Sequence, residues 1–106
     1  MPYAKGVRGD RPNIYNVTMV NADTEYSQVL PMQCLNFMVH TRDESEFRLA
    51  FETGIVAVPG APYLTVKAGS RYYEPEINND YPLATRITLY FASDSDGKII
   101  EIVTWR

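Results

Sequence analysis

A chain of 106 residues with 45% apolar and 22% charged side chains reads as one globular domain, too short for two and too apolar for disorder. Its formal charge of −3 disfavours tracking along nucleic-acid phosphates, and no run of about 18 apolar residues is present to cross a membrane as a helix. The opening Met-Pro-Tyr-Ala-Lys-Gly carries no apolar signal core, and the lone Cys34 cannot close an internal disulfide, so folding in a reducing cytoplasm without signal-peptide export is expected.

Residues 1–13 hold Pro2, Gly6, Gly9 and Pro12 among charges with no periodicity, which predicts an extended N-terminal arm; residues 14–106 are expected to form a single β-sandwich domain. From Ile14 the period is two, with Tyr15, Val17 and Met19 alternating with Asn16, Thr18 and Val20, and a short strand follows at Tyr26–Leu30. In Cys34–Thr41, alternation places Leu35, Phe37 and Val39 towards the core and Cys34, Asn36, Met38 and His40 on the polar side. After the charged turn Asp43–Glu46, Phe47, Leu49 and Phe51 are expected inward and Arg48 outward. Val58-Pro-Gly-Ala-Pro62 is a loop by its chemistry, because prolines lack ladder donors and glycine accepts turn dihedrals.

Tyr63–Val66 and Arg71–Glu74 read as short strands, separated from the end of the chain by a second long loop, Glu76–Pro82. Arg86–Ala92 and Ile99–Trp105 then look like a closing hairpin whose Asp96-Gly97 supplies a positive φ. The second of these strands is apolar on both faces, with Ile99, Val103 and Trp105 opposite Ile100 and Ile102, as expected of a central strand or one that a partner covers. About eight short strands without a helix predict an all-β sandwich of jelly-roll or immunoglobulin-like type.

Little in the sequence reads as catalysis. His40 would need an orienting carboxylate and a nucleophile in one pocket, and the near candidates Ser45 and Cys34 sit in no turn motif that would expose a nucleophile; Cys34 also has no basic neighbour to activate it. Asp94-Ser-Asp-Gly97 imitates the opening of a calcium loop but lacks the later bidentate glutamate, and Arg8-Gly9-Asp10 is a three-residue match to an integrin-binding tripeptide of the kind that chance supplies. No enzyme, cofactor or metal is expected, and neither nucleic acid nor membrane is expected as a partner.

One run of residues resembles a group of small tailed-phage proteins. It begins at Asp23-Thr-Glu-Tyr-Ser-Gln-Val-Leu-Pro31 and continues through Phe37-Met-Val-His-Thr-Arg42, Phe47-Arg-Leu-Ala-Phe51 and Pro62-Tyr-Leu-Thr-Val-Lys-Ala-Gly69. Ile87-Thr-Leu-Tyr-Phe-Ala-Ser93 and Glu101-Ile-Val-Thr-Trp105 complete it. The resemblance implies a multi-copy virion structural protein, of capsid decoration or cement type or a neck or tail adaptor, whose partners are other virion proteins. A protein of that kind works through contact surfaces, where tyrosine and arginine lead. Arg71, Tyr72, Tyr73 and Tyr81 form the densest candidate patch, with Tyr63, Tyr90 and Trp105 as further candidates. A non-catalytic carbohydrate-binding sandwich would use the same aromatic residues to stack sugars.

Overall fold

The computed structural model describes residues 12–32, 34–58, 60–75, 77 and 86–105. They hold eight strands and no helix: β1 (Pro12–Met19), β2 (Tyr26–Val29), β3 (Asn36–Thr41), β4 (Phe47–Ala50), β5 (Leu64–Val66), β6 (Tyr72–Glu74), β7 (Thr88–Ala92) and β8 (Lys98–Trp105). Each falls on a segment whose alternation predicts a strand. Two antiparallel four-stranded sheets result, one in the order β1-β8-β3-β6 and the other β2-β7-β4-β5. The pairs β1·β8, β2·β7, β3·β6 and β4·β5 are those of one long antiparallel ribbon folded on itself and rolled up. Of the two sandwich types open to the sequence, this strand order is the jelly roll's.

The interior lies between the sheets. Phe37, Val39, Ile100 and Ile102 from one sheet meet Phe47, Leu49, Leu89 and Phe91 from the other, each no more than 1% exposed. Burying a side chain of this size contributes about 1.5–3 kcal/mol, so these eight dominate the stability of the fold.

Four expectations change. The closing hairpin is absent: β7 pairs with β2 and β4 while β8 pairs with β1 and β3, so Ser93–Gly97 crosses between the sheets. The crossing is tied to the β1–β2 turn, where the Asp23 N–H donates to the Ser93 carbonyl (2.6 Å) and the Ala22 N–H to Asp96 Oδ1 (2.6 Å). Gly97 does adopt the positive φ, 77°, and its N–H donates to the Met19 carbonyl at the mouth of β1·β8. Second, β1 begins at Pro12 rather than Ile14, since Pro12 and Asn13 stay in register with Trp105 and Thr104. Residues 1–11 of the expected arm, Arg8-Gly9-Asp10 included, lie outside the described residues.

Third, Cys34 is 4% exposed rather than on a polar face. The ladder of β3 starts only at Asn36, so alternation does not carry back to Cys34, and the thiol turns inward to donate to the Asn36 carbonyl. Burial pushes its pKa up. Fourth, Phe51 lies beyond the end of β4 and is 48% exposed, its ring edge against Tyr72 rather than in the core.

Candidate protein interface

The outer faces of the two sheets are treated differently by the chain. Ala50 and Ala92 on the outer face of the β2-β7-β4-β5 sheet are covered by the β4–β5 connection, which lays Val56 (0% exposed) on them with Ile55, Tyr63 and Tyr90 around it. The connection is latched by Glu25, whose carboxylate accepts hydrogen bonds from the Thr53 hydroxyl (2.7 Å) and the Gly54 N–H (2.9 Å).

The opposite outer face carries a different surface. Strand register sets Ile14, Val103, Met38 and Tyr73 side by side, one from each strand, in an apolar row about 14 Å across. Ile14 is 70% and Tyr73 52% exposed. A parallel row sets Trp105 between Pro12 and Asn36. Asn36 Nδ2 donates to the Pro75 carbonyl, while its buried Oδ1 has no hydrogen-bond partner among the described residues. On the other flank Glu101 stands between Asn16 and His40. Its carboxylate binds Arg42 Nε at 2.6 Å and faces His40 Nε2 at 3.5 Å, while His40 Nδ1 lies 2.7 Å from the Thr41 carbonyl. The face therefore has an apolar middle and a polar, largely neutralised margin, the anatomy of a protein contact surface.

The expected patch divides accordingly. Arg71, Tyr73 and Trp105 belong to this face, with Arg71 Nη1 3.7 Å from Met38 Sδ. Tyr72 points the other way: its ring packs on Phe37 and its hydroxyl donates to Glu74 Oε1 at 2.9 Å. Burial, then the Glu74 carboxylate that holds its proton, pushes the Tyr72 pKa up. Tyr63 and Tyr90 are half-buried under the β4–β5 connection on the far side of the molecule. Tyr81 lies outside the described residues. Val103 is legible as part of the second apolar face of its strand, whereas Ile14 and Met38 were missed because each is unremarkable within its own strand; only cross-strand register sets them beside it.

A polar cleft of about 220 Å³ is lined by Asp23, Glu46, Arg48, Tyr63 and Asp94. Arg48 fills much of its chemistry, bound to Asp23 Oδ1 at 2.6 Å and lying 5.7 Å over the Tyr63 ring. That guanidinium lies over one face of the Tyr63 ring, within cation–π range. Among the described residues no group of three or more His, Cys, Asp or Glu side chains is placed to hold a metal ion, and no helix is long and apolar enough to cross a membrane.

Comparison with known proteins adds no relative: no family model matches the chain, and neither a curated protein nor a solved structure matches it at a significant level.

Proposed function

We propose that this chain is a non-catalytic structural protein of a tailed-phage virion, a decoration or cement protein that stabilises the assembled head through protein–protein contacts. The observation that carries the reading is the unequal treatment of the two outer faces. One is covered over Ala50 and Ala92 by the chain's own β4–β5 connection, and the other presents Ile14, Val103, Met38 and Tyr73 as a continuous apolar row among the described residues. Large apolar groups aligned across all four strands of a sheet favour a partner that removes them from water. The jelly-roll order supports the reading by analogy, since it recurs in viral shells, although it also recurs in lectins and cupins. The resemblance to small tailed-phage proteins supplies the kind of assembly. A neck or tail adaptor would use the same face; a non-catalytic sugar-binding module is the alternative, and since Arg48 and the β4–β5 connection engage Tyr63 from within the chain it would have to stack its sugar on Tyr73 or Trp105.

Tagged protein expressed during infection by a phage that encodes it should co-purify with assembled particles at a fixed stoichiometric copy number. Its absence from purified particles would sink the proposal.

A further inference from the structure

Each sheet has two edge strands, and β1 is unlike the other three. β2, β5 and β6 run for four, three and three residues, whereas β1 runs for eight. Exposed edges are usually blunted by charges, internal prolines, bulges or shortness. From Asn13 to Met19 the strand Asn-Ile-Tyr-Asn-Val-Thr-Met has no charge and no proline, and its register with β8 is unbroken.

The direction of its backbone groups follows from two hydrogen bonds. The Gly97 N–H donates to the Met19 carbonyl, and the Arg42 N–H donates to the Ile99 carbonyl, so Ile99 serves β3 and its neighbours Lys98 and Ile100 serve β1. Because backbone direction alternates along a strand, Asn13, Tyr15, Val17 and Met19 bond to β8. Ile14, Asn16 and Thr18 then turn both N–H and C=O away from it, and Pro12, at the same edge, adds only a carbonyl.

We infer that β1 pairs antiparallel with β1 of a second copy of this chain, across a two-fold axis at Asn16, joining two four-stranded sheets into one. The inference deepens the assembly reading by naming how copies join. The strand is its own complement in this register. Asn16 meets its twin and Ile14 meets the partner's Thr18, each pair exchanging both backbone bonds. Tyr15 and Val17, which pack half-buried at the β1 side of the core, meet the partner's Val17 and Tyr15, the aromatic–β-branched combination that favours cross-strand pairs. A two-residue slip either sets Tyr15 against Tyr15 and brings Pro12, which lacks a donor, into a hydrogen-bonded position opposite Thr18, or sets Val17 against Val17 and shortens the ladder. An uncharged residue at the axis also suits a two-fold, since Asn16 there meets its own kind. Pro12 falls at the end of the ladder, where its missing donor costs least.

Light scattering coupled to gel filtration of the full chain should show a dimer at high micromolar concentration, and Asn16→Lys should return it to monomer with its circular dichroism and melting midpoint kept. In a Cys34→Ala background, Asn16→Cys should cross-link under mild oxidation, because a hydrogen-bonded pair holds its Cα atoms about 5.5 Å apart. Thr18→Cys should not, since its twin would lie four residues along the strand, about 13 Å away. A full chain monomeric at every concentration, a dimer that survives Asn16→Lys, or equal cross-linking at both positions overturns the pairing. A monomer that still enters particles overturns the pairing alone, whereas a dimer missing from particles supports it while removing the virion role.

Discussion

Asp43 shows how far one exposed side chain can be shifted by its neighbours. Lys98 donates to its carboxylate at 2.7 Å and the Ser45 N–H adds a second hydrogen bond, which together hold its pKa at about 2. The ordinary carboxylate value is near 3.9, so the folded pKa is depressed and the stabilising contribution is present above about pH 4 and lost as pH falls through about 2. Thermal melts of the wild type and Asp43→Asn should therefore differ at pH 6 and converge by pH 2; a gap independent of pH would show that the ionised carboxylate is not the cause. In the core, Phe91 is 0% exposed and stands opposite both Tyr26 and Leu49, so Phe91→Ala should cost about 3–5 kcal/mol in chemical denaturation. Facing directions are legible from alternation inside a strand, as Phe37 and Val39 show, and fail just outside it. Cys34 and Phe51 both lie one or two residues beyond a ladder, where period two no longer governs direction.

At the scale of elements, the strands were readable and their partners were not. Alternation is local, whereas β7 and β8 follow each other closely in the chain and still enter different sheets. Nothing in Ser93–Lys98 distinguishes a hairpin turn from a crossover, because both accept Asp-Gly with a positive φ; the deciding contacts come from Ala22 and Asp23, some seventy residues earlier. The candidate face was half legible for the same reason. Arg71, Tyr73 and Trp105 stand out by residue type and Val103 by the second apolar face of its strand, but Ile14 and Met38 join them only through pairing. The β4–β5 connection reads as a loop, yet it serves as a cover anchored by Val56 and by Glu25. Removing the latch in Glu25→Ala should speed amide exchange across residues 51–63 by a factor reflecting about 1–2 kcal/mol, with little change in the global melting midpoint. Unchanged exchange there would assign the cover to Val56 and its apolar neighbours alone.

Among the described residues the sandwich is covered over Ala50 and Ala92 on one outer face and uncovered on the other. Its interior accounts for Phe37, Phe47, Phe91 and the inward half of β8, and the β4–β5 cover accounts for Tyr63 and Tyr90. What stays outside both is the outer face of the β1-β8-β3-β6 sheet. The central position of β8 explains why Ile100 and Ile102 are buried but leaves Ile99, Val103 and Trp105 on that outer face, only half covered. The reading of this protein as an assembly component rests on that remainder. Its most direct test is the occupancy of purified particles by an Ile14→Asp/Tyr73→Asp double variant, both sites being exposed enough to spare the fold, beside Val29→Glu on the outer face of the other sheet. The account predicts that the double variant, folded by circular dichroism, loses at least about tenfold in copy number, near 1.4 kcal/mol or more of binding, while Val29→Glu keeps full occupancy; full occupancy by the double variant would contradict it.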